Sequence, residues 1–181
     1  ELAEQRRKKP TDDLTSKLVH NDIGEDMLDP SEVAPFFILL AVAGNDTTRT
    51  AISHGMNLLA KNPDQRRIWQ NDIANNDVAG VSQTAVEEIV RAASPVTFMR
   101  RTATGDVSIS GHDFSEGDKV VMWYLSGNRD AEVIEDPDAF RVDRPRARQH
   151  LSFGFGIHRC VGNRLAEMQL AARDDGSGSA L

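Results

Sequence analysis

The sequence predicts a mainly helical fold with small β-sheets. Apolar residues recur at helical spacing through the first half of the chain. Short β-prone runs separated by glycines follow, and a last helical pattern comes after an irregular stretch. The change from a period near 3.6 residues to a period near two, about midway along the chain, favours this fold class.

The first two helical segments are short. Residues 1–9 resemble the end of a helix that Pro10 breaks. Thr11 is a candidate N-cap for a second helix that continues to about His20. Aspartates at positions 12 and 13 suit the first turn of that helix, where the helix dipole favours negative charge.

A long central helix is predicted next. Ser31 is its candidate N-cap, and Pro35 lies close enough to the start to be tolerated. The pattern continues to Asn62 and is apolar on nearly all sides at first. A helix of about thirty residues with this composition is expected in the middle of a larger protein.

Two further helices precede the strands. Pro63 begins one that continues to Asp72. Ser82 or Thr84 is a candidate N-cap for the next, which ends near Ala93 before a Ser-Pro pair.

The second half begins with three β-prone runs, residues 98–104, 107–110 and 119–124. Glycines between these runs are typical of short hairpins. Residues 128–152 show no period and contain two prolines and five arginines, which predicts an ordered, irregular segment. A final helix is expected from Gly162 to about Arg173, and residues 174–181 have the composition of a linker or expression tail.

The composition argues against several classes of partner. The 181 residues include 28 acidic and 21 basic side chains, a formal charge of −7. This balance does not favour binding to nucleic acid or anionic lipid. The longest apolar run, residues 33–43, has 11 residues, whereas a membrane span needs about 20, so no span is predicted. A single cysteine and the lack of a signal-peptide pattern predict a cytoplasmic protein.

Residues 153–162, Phe-Gly-Phe-Gly-Ile-His-Arg-Cys-Val-Gly, are the most informative stretch. They place Cys160 directly before a predicted helix, where the helix dipole favours a thiolate. Gly154, Gly156 and Gly162 remove side chains, so that a flat group could lie against the loop. The loop therefore favours a thiolate that binds a large planar group. The alternative is a structural cysteine after a glycine-rich turn.

The spacing F-G-x-G-x-H-x-C-x-G resembles the cysteine loop of the cytochrome P-450 superfamily, the heme-thiolate monooxygenases. The resemblance implies that Cys160 ligates the iron of heme b as a thiolate and favours O–O cleavage. It also implies that Phe153 packs near that thiolate and that His158 approaches a heme propionate. Gly154 and Gly162 are cofactor-binding positions of the same motif.

Residues 43–48, Ala-Gly-Asn-Asp-Thr-Thr, lie midway along the long predicted helix and resemble the oxygen-activation motif of that family. Ala43 and Gly44 would leave room over the iron. Asp46 and Thr47 supply an acid and an alcohol for proton delivery to dioxygen. The alternative is a polar patch whose side chains bond back to helix carbonyls.

The sequence Glu88-Ile89-Val90-Arg91 could by itself be an ordinary i,i+3 pair on a helix surface. Its place in the order of the motifs along the chain makes it resemble the structural ion pair of the family, with Arg144 as the third member. The resemblance implies that this triad supports the irregular segment behind Cys160.

A further cofactor contact is implied on the first strand. Arg101 matches the family arginine that pairs with a heme propionate, and its guanidinium suits a carboxylate. Arg100 could be the inward residue instead. The expected substrate pocket is mostly apolar and consists of Val42, Val96, Thr97, Phe98 and Met99.

The resemblance covers residues 11–173 and rests on four motifs in order. It implies the C-terminal portion of the cytochrome P-450 fold, with residues 1–173 as a partial domain. The implied activity is insertion of one oxygen atom of O2 into a C–H bond. Peroxygenase or isomerase activity is a second interpretation, although neither needs the proton delivery that Asp46 and Thr47 suggest. A non-catalytic fragment or heme-binding module is a third.

Two segments suggest the class of substrate, and a third segment suggests the electron donor. Residues 36–49 are similar to bacterial members acting on sterol side chains and methyl-branched lipids, and residues 149–168 to alkane and fatty-acid terminal hydroxylases. Both imply a small apolar substrate and terminal hydroxylation. Residues 141–164 contain six arginines and one aspartate, a local charge of +5. This charge predicts docking of an acidic ferredoxin, reduced from NAD(P)H by a ferredoxin reductase.

Overall fold

The structure is a computed structural model that describes residues 1–20, 30–75 and 81–172. The helices are α1 (Leu2–Lys8), α2 (Leu14–His20), α3 (Pro30–Lys61), α4 (Pro63–Asn75), α5 (Val81–Ala93), α6 (Tyr124–Gly127) and α7 (Asn163–Ala172). The strands are β1 (Met99–Thr102), β2 (Val107–Ile109), β3 (His112–Phe114) and β4 (Lys119–Met122). The predicted class, mainly α with small β-sheets, is confirmed. The predicted tail at residues 174–181 lies outside the described residues.

Within the described ranges, not one helix combines the length and the apolar character needed to cross a bilayer.

Residues 1–46 form one compact unit, in which α1 contacts α2. Asp13, not the predicted Thr11, caps α2: its carboxylate accepts a hydrogen bond of 2.7 Å from the Ser16 amide. The Thr11 hydroxyl donates to the same carboxylate at 2.8 Å. The Ser16 amide and the Arg6 guanidinium hold the pKa of Asp13 well below its ordinary value. The acid is the better cap because it also pairs with a charge.

Helix α3 is continuous from Pro30 to Lys61, as the apolar pattern predicts, and contributes to both units of the chain. Pro35 lies within it. Ser31 lies inside the first described turn, so its predicted role as the N-cap is wrong.

From Thr47 onward the chain forms a second compact unit. Its core contains residues from α3, α4, α5, the irregular segment and α7: Ala51, Leu59, Trp69, Ala85, Val86, Ile89, Val90, Phe140, Val142 and Leu170. Helices α3 and α5 approach closely where Gly55 meets Ile89. A Cβ atom on Gly55 would lie 2.9 Å from Cγ2 of Ile89, so only glycine fits without displacing that side chain.

The predicted caps of α5 have other roles. Ser82 and Thr84 both lie inside the helix. The Ser82 hydroxyl accepts a hydrogen bond of 3.1 Å from the Trp69 indole, and the Thr84 hydroxyl donates to the Val142 carbonyl at 2.6 Å. The Ser82 amide donates to the carboxylate of Asp72 on α4 at 3.2 Å. The cap predictions are therefore wrong, because the hydroxyls bond to distant segments instead.

The strands form two antiparallel pairs, β1 with β4 and β2 with β3. In the first pair Arg101 lies opposite Val120. The sequence pattern did not predict β3, and it assigned Tyr124 to a strand, whereas Tyr124 begins α6. Tyr124 is buried there and its hydroxyl approaches Gly154, so tertiary packing overrides its β propensity.

Candidate active site

The loop that carries Cys160 is closed by its own backbone. The Cys160 amide donates to the Phe153 carbonyl at 2.8 Å, and the Arg159 amide donates to the Gly156 carbonyl at 3.0 Å. A single 3-10 turn, Gly156–His158, lies between them. The loop therefore presents Cys160 with two residues between it and the start of α7, and Cys160 is exposed.

Gly154 is the tightest point of this loop. Its φ of +69° lies in the left-handed region, where side chains are disfavoured. A Cβ atom would lie 3.2 Å from the Tyr124 hydroxyl and 3.5 Å from the His158 carbonyl oxygen. Glycine at position 154 thus satisfies both a backbone and a packing requirement.

The surface around Cys160 is apolar and exposed. Phe155, Ile157 and Val161 have exposed fractions of 82%, 95% and 92%. Exposed large apolar side chains clustered in one loop are typical of a binding surface. His158 and Arg159 are also exposed and add polar groups beside it. An accessible sulfur in an apolar surface with a polar edge fits heme, a flat apolar group with carboxylates at its edge.

A buried ion-pair cluster brings together Glu88, Arg91 and Arg144. The Arg91 guanidinium donates to both carboxylate oxygens of Glu88, at 2.7 and 2.9 Å, and Arg144 donates to one of them at 2.8 Å. The side chains of Glu88, Arg91 and Arg144 are 0%, 2% and 5% exposed. Six further hydrogen bonds join the two guanidinium groups to carbonyls of the irregular segment, at Asn128, Glu135, Asp136, Pro137 and Ala139.

A second buried acid, Glu87, was missed by sequence reasoning. It accepts hydrogen bonds from Arg148 at 2.8 Å and from Nε2 of His150 at 2.9 Å. Because Nδ1 of His150 accepts from the Ser152 amide, Nε2 carries the ring proton. Burial raises the pKa of Glu87, but the bonds from His150 and Arg148 outweigh burial and hold it below its ordinary value. The sequence signal that could have identified Glu87 is an acidic residue within the apolar face of α5.

The oxygen-activation residues lie at successive positions of α3. Ala43, Gly44 and Asp46 are exposed and Thr47 is half-buried. The roles assigned to Asp46 and Thr47 stay predictions.

On β1, Arg101 is less exposed than Arg100 and donates a hydrogen bond to the Arg100 carbonyl at 3.0 Å.

Of the predicted pocket residues, Val42 on α3 is 57% exposed. The other four form a continuous segment from Val96 to Met99, which follows α5 and ends at the first residue of β1. Within it the Phe98 ring lies 5.1 Å from the ring of Trp123.

The arginines predicted to form a basic surface are mostly paired. Four of the six have an acidic neighbour: Arg141 with Asp143, Arg144 with Glu88, Arg148 with Glu87, and Arg164 with Glu167. Among the described residues, Arg146 and Arg159 have no such neighbour. The local charge available to a partner is therefore smaller than the formal count predicts.

Comparison with known proteins identifies the family that this loop resembles. Residues 1–172 match the family model described as Cytochrome P450. The chain is 47% identical over 175 residues to a methyl-branched lipid omega-hydroxylase of Mycobacterium tuberculosis, covering 96% of the chain and 40% of that protein. It is 42% identical over 170 residues to a steroid C26-monooxygenase of Mycolicibacterium smegmatis, covering 93% and 38%.

A solved structure gives the same result for the fold. Cytochrome P450-153 from Novosphingobium aromaticivorans matches with a TM-score of 0.83 and 43% identity, covering 96% of this chain and 42% of that one. The chain thus spans about two-fifths of each of these three proteins. Its position in the C-terminal portion of the fold rests on the order of the motifs and stays a prediction.

Proposed function

Because the chain belongs to the cytochrome P450 family, we propose that it carries the heme-thiolate site of a monooxygenase. The enzyme would insert one oxygen atom of O2 into a C–H bond of an aliphatic, lipid-like substrate. The observation that carries the proposal is the exposed Cys160, held by the closed loop within an apolar surface. A reduced, CO-treated sample should show the strongly red-shifted Soret band of a thiolate ligand.

The residues of the chain have distinct roles in this proposal. Cys160 ligates the iron as a thiolate, with Phe153 beside it. Arg101 and His158 bind the heme propionates. Heme b, when bound, supplies the binding and reductive activation of O2. The exposed apolar residues beside Cys160 exclude water from the side of the heme that faces the sulfur.

On α3, Ala43 and Gly44 leave space for the ligand, and Asp46 and Thr47 hold the protons that dioxygen cleavage consumes. An alcohol one residue after an acid can receive a proton from solvent and pass it on. These roles would distinguish a monooxygenase from a peroxygenase.

We expect Thr47→Ala to leave heme binding intact, because Cys160 is untouched, and to divert electrons to hydrogen peroxide. Cleavage of dioxygen depends on directed proton delivery through Thr47, whereas the two protons of released peroxide can come from solvent. The protein for this test is a chimera in which residues 1–172 replace the matching segment of the Mycobacterium tuberculosis relative. Product and peroxide are measured per NAD(P)H consumed. Thr50→Ala, also on α3, is the control, and an unchanged product yield for Thr47→Ala would contradict the role of Thr47.

The substrate class is supported by two relatives named for methyl-branched lipids and for steroid C26 oxidation. We propose terminal hydroxylation of an aliphatic chain, with Val42 and residues 96–99 lining the pocket. Titration of the chimera with aliphatic ligands should shift the iron spin state. Polar ligands of the same length should not.

The proposed electron donor is a ferredoxin, reduced from NAD(P)H by its reductase and acting with this protein in the cytoplasm. We expect Arg146→Glu to slow iron reduction by an acidic ferredoxin about tenfold at low salt and to weaken the salt dependence. Reversal of Arg148 or Arg164 should have smaller effects, because each already pairs with a glutamate. Arg66→Glu on α4 is the charge-matched control. Equal rates for Arg146→Glu and Arg66→Glu would exclude this docking surface.

A second candidate function is a non-catalytic heme-binding module. The 181-residue chain would then show the thiolate-type band without substrate turnover when O2 and electron donors are supplied.

A further inference from the structure

Asn128, the residue that follows α6, is completely buried and uses every polar atom of its side chain. Its Nδ2 donates to the hydroxyls of Ser94 and Ser152, both at 2.8 Å, and its Oδ1 accepts from the Leu151 amide at 2.6 Å. Its backbone carbonyl accepts from Arg91 at 2.8 Å. Asn128 therefore joins the buried ion-pair cluster to the segment that enters the Cys160 loop.

The directions of these hydrogen bonds require an amide. The Ser94 hydroxyl donates its only hydrogen to the Arg91 carbonyl at 2.7 Å, and that of Ser152 donates to the Val90 carbonyl at 2.8 Å. Both hydroxyls can therefore only accept from position 128, while the Leu151 amide needs an acceptor there. Asparagine has two donors and an acceptor at that length. An aspartate would direct lone pairs at both hydroxyl oxygens.

The helix before Asn128 contacts the same loop at two more points. The Tyr124 hydroxyl lies against Gly154, and Gly127 lies so close to Leu151 that a Cβ would be 2.6 Å from its Cδ1. Residues 124–128 thus pack against residues 151–154. Within the same segment, Phe153 is linked to Cys160, because the Phe153 carbonyl accepts a hydrogen bond from the Cys160 amide.

We propose that Asn128 is a positioning residue for the Cys160 thiolate, an inference that rests on the proposed heme-thiolate function. It acts through Leu151 and Ser152, whose backbone leads directly to Phe153. When these bonds are lost, the loop opens more often, the Phe153–Cys160 bond is less populated, and sulfur is more often displaced from the iron or protonated.

The first test measures backbone hydrogen exchange in the 181-residue chain. We expect Asn128→Ala to speed exchange of the Leu151, Gly154 and Cys160 amides about tenfold. Trp69→Phe is the control, because it deletes a buried side-chain hydrogen bond elsewhere in the same unit, the single bond to Ser82. This control should change overall stability without a selective effect on the loop.

The second test measures the fraction of thiolate-type CO complex in the heme-loaded chimera. Asn128→Ala should lower it, and Trp69→Phe should not. Ser152→Ala is a milder variant and carries the test if Asn128→Ala does not fold. The double variant should lower the fraction little further than Asn128→Ala, because both substitutions break one path.

Two results would overturn the inference. If Asn128→Ala and Ser152→Ala match Trp69→Phe in amide exchange and in thiolate fraction, Asn128 has only a general structural role. If the unsubstituted chimera lacks the thiolate-type band, the proposed function fails and the inference fails with it. The presence or absence of the thiolate-type band in the unsubstituted chimera therefore shows which of the two has failed.

Discussion

Cys160→Ser is expected to abolish the thiolate-type CO spectrum completely. A neutral alcohol is a poor iron ligand, and the chain contains no second cysteine that could replace the sulfur. The side chain is exposed at the end of its loop, so serine should be accommodated without strain. The measurement is the absorbance difference between reduced samples with and without CO.

The control for this variant is Val161→Ala, which changes the neighbouring residue, 92% exposed, and keeps the sulfur. It should retain the red-shifted band. A red-shifted band that persists in Cys160→Ser would show that Cys160 is not the ligand, and the proposed function would have to be abandoned.

Glu88→Ala should have the largest effect on stability. The substitution leaves two guanidinium groups, on Arg91 and Arg144, buried without their carboxylate. Breaking a buried ion pair by removing one partner typically costs about 3–5 kcal/mol in the free energy of unfolding. The measurement is urea unfolding followed by circular dichroism.

The chain supplies a matched control for Glu88→Ala. Asp64 and Arg67 form an i,i+3 pair on α4 with the same spacing as Glu88 and Arg91, but their side chains are 77% and 71% exposed. Asp64→Ala should therefore cost less than about 1 kcal/mol. Equal losses for the two variants would mean that burial does not decide the strength of these pairs.

The order of the elements could be predicted from sequence because periodicity and turn residues act locally. Helix α3, the irregular segment and α7 lie close to their predicted ranges. The motif residues could also be identified, since their spacing is fixed along the chain. Glu88 and Arg91 are one helical turn apart, and the third member of the cluster, Arg144, was named from motif order.

The parts that sequence reasoning missed depend on contacts between distant residues. Glu87 and His150 are 63 positions apart, and no local pattern pairs them. The hydroxyls of Ser82 and Thr84 have good capping chemistry, yet the fold uses them to bond Trp69 and Val142. Formal charge counts fail for the same reason, because a sum over arginines does not show which of them already face a carboxylate.

The close approach of Gly55 to Ile89 limits how this protein could be engineered. Randomising α3 is an obvious way to alter substrate range, and at Gly44, the other glycine of that helix, an added Cβ would meet nothing within 4 Å. At position 55 even alanine must displace Ile89, the residue directly after Glu88. A library that varies position 55 would therefore contain many destabilised variants unless residue 89 is shortened in the same clones. Ile89→Ala would make the space, whereas Ile89→Val would keep the Cγ2 methyl group that lies 2.9 Å from the added Cβ.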